Sequence, residues 1–307
     1  MTRSVDTRPP LTPRHWPGWI AVGLIWLLGR TPRAVGVALA HPLGWLLARA
    51  MKRRRAIAQR NIERCFPELA PAAREALVEA SFRALGRMPF ETAWSWTASD
   101  RRMRRMSRYE GAEAARAAAA QGRGVLLVTA HFSCLEIGAR LTAMAFERAA
   151  GVYRPLRSEV LEWYQNRCRG RYAEQMISKR DMRGAIRYLR RGGVLWYAPD
   201  QDFGPQQSEF VPFFGIPTAT LAATARLVEL TGCLVVPMFP RYDAATGQYV
   251  VRFLPPLEDF PAGDIVKDLG RINDLLEAQV REAAEQYWWI HRRFKTRPDG
   301  EPPFYDV

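Results

Sequence analysis

The chain has 307 residues, of which 48% are hydrophobic and 25% charged, and its formal net charge is +14. That length allows one large domain or two small ones, and the composition excludes a disordered tail protein, a collagen-like fibre and a polytopic membrane protein. Lysine occurs only at Lys52, Lys179, Lys267 and Lys295, so guanidinium carries nearly all of the positive charge. Guanidinium is the better fork for phosphate and carboxylate, and a pI near 10.2 points to an anionic partner: nucleic acid, anionic lipid or an acidic carrier protein. A solvated face accounts for part of the same charge. The four cysteines, Cys65, Cys134, Cys168 and Cys233, have neither zinc nor C-x-x-C spacing, which suggests a reducing compartment with no disulfide framework or metal site.

Residues 1–15 are polar and Pro-rich and read as a frayed terminus. Trp16 to Gly29 is an uncharged apolar run, and Ala34 to Ala48 is a second one, broken at His41-Pro42. The first reaches about 21 Å as a helix, short of a hydrocarbon core of about 30 Å. A basic block, Lys52 to Arg55, follows directly, and Trp16, Trp19, Trp26 and Trp45 fit an interfacial belt. Basic clusters beside apolar segments bind anionic headgroups and mark the cytoplasmic side. Residues 1–50 are therefore expected to anchor the chain, spanning or lying in the interface, with a catalytic domain over 51–307.

Residues 55–120 read as helical, with breaks at Pro67, Pro71 and Pro89. The pattern then switches. Val125–Thr129, Gly151–Arg154, Val194–Ala198, Leu234–Phe239 and Tyr249–Leu254 read as strands. Helices are expected over Ile137–Ala150, Val160–Tyr172, Met182–Arg191, Ala219–Thr231 and Asp264–Ala284. Strands alternating with helices predict an α/β fold with a mixed, largely parallel central sheet flanked by helices.

The sharpest chemical signal is His131-x4-Glu136, placed after a buried strand, where α/β folds put ligands. A histidine there takes a proton from a substrate hydroxyl while a carboxylate holds its other ring nitrogen. Ser133-x-x-Glu136 is also a capping box, which needs no catalysis to explain it. Ser133 and Cys134 are weaker nucleophile candidates, because G-x-S-x-G is absent. Arg154, Lys179 and Arg180 are candidate anion grips beside predicted strand ends and a helix start. Asp200 follows a second buried strand, as His131 does; two such ends in a parallel sheet lie on one edge, where Asp200 positions a substrate or a cationic side chain, and a simple Pro-Asp turn explains it equally. Phe210 to Pro217 reads as an apolar loop suited to an acyl-chain wall or to plain core. The tail, Gln286 to Pro298, interleaves aromatics with cations, as in nucleic-acid stacking or a lipid interface.

Taken together, these segments resemble the late acyltransferases of bacterial lipid A biosynthesis. The resemblance rests on the apolar amino terminus with its basic flank, on Asn61 to Glu68, His131-x4-Glu136, Tyr153-Arg154-Pro155, Pro199 to Gly204, and His291 to Pro298. It implies the fold of the glycerolipid acyltransferases that share a His-x4-Asp/Glu motif. It implies transfer of a fatty acyl chain from acyl carrier protein to a hydroxyl on an acyl chain of a Kdo-bearing lipid A precursor, forming an acyloxyacyl ester. By motif match His131 is the general base and Glu136 its partner. Lys179 or Arg180 matches the family's basic position, and Asp200 its Pro-Asp site. A thioester is already activated, so no cofactor or metal is expected. The implied partners are carrier protein, lipid A precursor and anionic lipids, without nucleic acid, at the cytoplasmic face of the inner membrane. Two other readings stay open: an acyltransferase for a glycerophosphate or ornithine-type acceptor, and a membrane-attached nucleic-acid binder.

Overall fold

A computed structural model describes residues 8–306. Residues 1–7 of the stretch expected to fray lie outside the described residues, and Pro13–His15 form a short 3-10 turn. Five helices precede the first strand: α1 (Trp16–Arg30), α2 (Arg33–Ala50), α3 (Lys52–Cys65), α4 (Pro71–Thr97) and α5 (Asp100–Arg105). Then come β1 (Ser107–Glu110), α6 (Ala112–Ala120), β2 (Val125–Val128), α7 (Leu135–Ala145), β3 (Ala149–Tyr153), α8 (Glu159–Arg169) and β4 (Gln175–Ser178). The remainder is α9 (Met182–Arg190), β5 (Val194–Tyr197), β6 (Ser208–Phe213), β7 (Ile216–Leu221), α10 (Ala223–Thr231), β8 (Leu234–Asp243), β9 (Gln248–Phe253) and α11 (Ile265–Glu282).

Seven strands form the central sheet in the order β1-β9-β8-β2-β5-β3-β4. Only the β8–β9 pairing is antiparallel. The mixed, largely parallel sheet predicted from the alternation is therefore the one observed. β2 and β5 are buried at every position, as continuous apolar runs in a two-sided parallel sheet require.

Four local expectations give way to tertiary packing. The helical pattern of residues 55–120 hides β1, a four-residue strand that pairs in parallel with β9. Phe210 to Pro217 is not a loop: β6 and β7 form an antiparallel hairpin that turns at Gly215, with φ +69°. Its Phe213 and Phe214 are buried, Phe214 N–H donates to Glu277 at 2.6 Å, and Asn273 donates to Pro212 O at 2.9 Å. The helix expected from Ala219 starts only at Ala223, because residues up to Leu221 belong to β7. Finally, α2 runs through Pro42 and α4 through Pro89. An interior proline costs about 3 kcal/mol. Burying Phe82, Phe90 and Trp94 on α4 offsets that, at about 1.5–3 kcal/mol per large side chain.

Helices α1 and α2 pack on α4 through small residues. A Cβ on Gly86 would lie 2.2 Å from Ala40 O, and one on Gly44 would lie 2.4 Å from Phe82 O. The outer sides of α1 and α2 expose Trp16, Ile20, Leu24, Trp26, Leu27, Leu39, Trp45 and Leu46. Trp19 leaves the expected belt: its ring lies 5.6 Å from Trp163, and its N–H donates to Pro10 O at 2.8 Å. No single helix among the described residues is long and apolar enough to cross a membrane. By length and composition alone α2 and α3 pass together, but they are bent by 98°.

Candidate active site

The site is assembled at the carboxyl edge of the parallel strands. β2 and β5 are neighbours, with Val128 opposite Tyr197. The chain therefore leaves both strands on one side, carrying His131 from β2 and Asp200 from β5. The Asp200 carboxylate accepts the His131 backbone N–H at 2.8 Å and meets the ring Nδ1 at 2.5 Å. Asp200 is fully enclosed, whereas the His131 side chain keeps 24% of its surface open. With Nδ1–H donated to Asp200, Nε2 is left free as an acceptor. Burial pushes the His131 pKa down, but the charge and hydrogen bond of Asp200 outweigh it and hold the imidazole above its ordinary 6.5. For Asp200, burial pushes upward and His131 reverses it, so its carboxyl stays below 3.8. The pair is a buried ion pair that favours imidazolium.

Glu136 does not supply the His131 partner. Its carboxylate forms an ion pair with Arg169 from α8 and accepts the Trp96 indole N–H at 2.8 Å. Burial lowers the Arg169 pKa, and Glu136 more than restores it. The capping box is not formed either: Cys134 is the N-cap of α7 with no side-chain bond, and the buried Ser133 hydroxyl has no hydrogen-bond partner. Burial also drives the Cys134 thiol well above its ordinary range, against a nucleophilic role.

His131, Glu136, Arg154 and Arg169 line one cavity of about 170 Å³. Most of its remaining wall is small or apolar, including Ala139, Ala143, Ala150, Gly151 and Met176, with Thr142, Gln165, Tyr153 and Tyr172 as further polar groups. Arg154 enters from the end of β3. Lys179 follows β4, its backbone N–H donating to Tyr153 O at 2.8 Å. Its ammonium lies 5.0 Å from the Phe203 ring centre. Burial, then the charges of Arg154 and Arg180, lower the Lys179 pKa, so the three predicted cations share one field.

Sequence reasoning missed the clamp behind His131. The tail pairs with the histidine's own backbone: Trp288 N–H donates to His131 O at 3.0 Å, and Ser133 N–H to Gln286 O at 2.7 Å. Thr296 donates its N–H and hydroxyl to the Asp202 carboxylate at 2.7 and 2.8 Å. Asp202 N–H in turn donates to His291 Nε2 at 3.3 Å. Burial pushes the His291 pKa down to about 4, which keeps that nitrogen an acceptor. Tyr287, Trp289 and Phe294 are buried and so are not available to stack on bases. Nothing in sequence spacing marks this segment as the support of a residue more than 150 positions earlier. Arg169 and Trp96 likewise carry no local signal.

Over residues 7–296 the sequence matches the family described as bacterial lipid A biosynthesis acyltransferase. The chain belongs to that family. It is 40% identical over 296 residues to a lipid A biosynthesis lauroyltransferase of Escherichia coli K12, covering 96% of each chain. It is 36% identical to a palmitoleoyltransferase of the same strain, covering 97% of each, and 30% identical to a myristoyltransferase, covering 94% of this chain and 90% of the other. A solved structure of the 1-acyl-sn-glycerophosphate acyltransferase PlsC from Thermotoga maritima aligns with 82% of this chain and 98% of its own, at TM-score 0.40 and 14% identity. Membership of the lipid A acyltransferase family makes the chain an acyltransferase of lipid A biosynthesis.

Proposed function

We propose that the enzyme takes a fatty acyl chain from acyl carrier protein and esterifies a hydroxyl on an acyl chain of a Kdo-bearing lipid A precursor, giving an acyloxyacyl ester. The observation that carries this reading is His131, paired with Asp200 and lining a largely apolar cavity. His131 Nε2 removes the acceptor's hydroxyl proton as that oxygen attacks the thioester carbonyl. Asp200 holds the ring's orientation and tautomer and stabilises the imidazolium. When the tetrahedral intermediate collapses, the C–S bond breaks and the departing thiolate takes the proton from imidazolium. The products are an ester and a carrier thiol, so no oxidant, metal or cofactor is needed.

The developing oxyanion needs a cation or donor, and losing one such group costs about 3–4 kcal/mol. Arg154, Lys179 and Arg180 are the candidates. Glu136 is assigned a supporting role, holding Arg169 in the cavity wall. The exposed apolar sides of α1 and α2 support placement against the inner membrane, at its cytoplasmic face, where the basic surface meets anionic lipid and an acidic carrier.

The test is acyl transfer from carrier-protein thioesters to a Kdo-bearing tetra-acylated precursor. Wild type is expected to add one chain, and folded His131→Ala to lose the reaction by orders of magnitude. Transfer to glycerophosphate instead of this acceptor would overturn the reading.

A further inference from the structure

Away from the reaction cavity, α2, α3 and α4 enclose an open groove of about 1010 Å³. Phe82 in its wall and Trp96, which holds Glu136, are 14 residues apart on α4. At 1.5 Å per residue that is about 21 Å, so the groove is separate from the site above. Its walls present Arg49, Lys52, Arg55 and Arg83 against a single carboxylate, Glu79. Arg55 is paired with Glu75, and Arg49 stacks on Trp45 at 3.6 Å. Lys52 and Arg83, from two different helices, have no side-chain partner among the described residues.

The basic block read from the sequence is thus divided by the fold. Lys52 and Arg55 line the groove, whereas Arg54 turns away and donates to Ile290 O at 3.1 Å. The groove also borders an apolar surface: Trp45 in its lining is 58% exposed, and Leu39 and Leu46 are exposed on the same helix, α2. Unpartnered cations repel one another unless an anion lies between them, and an exposed apolar rim favours hydrocarbon.

We propose that this groove binds the phosphate-bearing headgroup of an anionic membrane lipid, with Lys52 and Arg83 on the phosphate and the acyl chains along the exposed side of α2. The charge selects the phosphate, and the rim of Trp45, Leu39 and Leu46 selects a lipid over a free anion or an acidic protein surface. The proposal rests on the reading that α1 and α2 face lipid, and it makes no use of acyl transfer.

The full-length protein is tested by co-flotation with phosphatidylcholine vesicles containing 20 mol% phosphatidylglycerol, and with pure phosphatidylcholine vesicles. Lys52→Gln/Arg83→Gln is compared with Arg53→Gln/Arg54→Gln, an equal charge loss on α3 at positions outside the groove lining; folding is checked by circular dichroism. Juxtamembrane cations each contribute about fivefold to binding of anionic surfaces. The groove pair is therefore expected to lose roughly twenty-fivefold in affinity for the anionic vesicles, with little change on neutral ones, while the control pair keeps most of its affinity. Equal losses in the two pairs would mean diffuse attraction and overturn the groove alone. Failure of wild type to bind either vesicle would overturn the groove and the membrane reading together. Full competition by millimolar inorganic phosphate, or loss of acidic carrier-protein binding in place of vesicle binding, would assign the groove to another ligand.

Discussion

His131 and Asp200 form an ion pair whose charge states oppose its proposed chemistry. The raised His131 pKa contributes stability that is complete below the ordinary 6.5 and is lost as pH rises through the raised value. The lowered Asp200 pKa contributes stability that is complete above 3.8 and is lost as pH falls through the lowered value. Both contributions are present together between those two ordinary values. A general base, however, must be neutral. We therefore expect kcat/KM to rise with pH through a limb above 6.5 while thermal stability is greatest on the acidic side of that limb, read from a rate profile and a Tm profile on one preparation. Asp200→Asn removes the charge that raises the limb. It should move the limb downward and cost about 10²–10⁴ in rate; a limb that stays in place would remove Asp200 from the proposed role. The Glu136–Arg169 pair makes a different prediction. Breaking a buried ion pair from one side costs about 3–5 kcal/mol, less here because both side chains keep 12–15% exposure. Glu136→Gln and Arg169→Gln should each destabilise, and the double variant should recover part of the loss. Additive losses in that cycle would deny the coupling. His131 and Asp200 were both legible as residues after buried strands. That they pair, and that Glu136 turns to Arg169, was not legible, because side-chain direction after a strand depends on the turn and on neighbours distant in sequence.

At the scale of elements, the tail from Gln286 to Thr296 acts as a splint on the β2 and β5 exits. Thr296→Val removes one of the two hydrogen bonds that Thr296 gives Asp202, whereas Thr296→Ser keeps both. We expect the valine variant to lower kcat several-fold with KM little changed, and serine to restore it. Equal damage from both would point to packing rather than the hydrogen bond. The contact of α2 with α4 is tested at Gly86. A Cβ there would meet backbone at 2.2 Å, so Gly86→Leu must separate the helices. Overpacking of this kind costs about 1–3 kcal/mol, visible as a lower denaturation midpoint. The element pattern was readable where hydrophobic period and burial agreed, as in β2, β5 and α11. It failed at β1 and at the β6–β7 hairpin, and β4 was not foreseen either. Short strands earn their stability from partners, β9 for the first and α11 for the second, and not from their own composition.

At the scale of the whole molecule, a net charge of +14 should steer acidic partners from beyond contact distance. The Debye length falls from about 30 Å at 0.01 M salt to about 8 Å at 0.15 M. The KM for a carrier-protein thioester should therefore rise several-fold across that range, and that of a small neutral thioester should stay nearly flat. Equal salt responses would leave the charge without a part in donor recruitment. The sequence alone was enough for the α/β class, the largely parallel sheet, the family resemblance, and the strand ends at which His131, Arg154 and Asp200 sit. The class, the sheet and the strand ends follow from hydrophobic period, and the family from motifs that resemble it in order along the chain; both are properties of the chain read in order. Only the tertiary structure decided that Asp200 rather than Glu136 meets the imidazole, that the tail braces it, and that the basic block splits around a groove. Each of those depends on which of several competing partners lies within about 3 Å once the helices have packed, and linear spacing does not encode that distance.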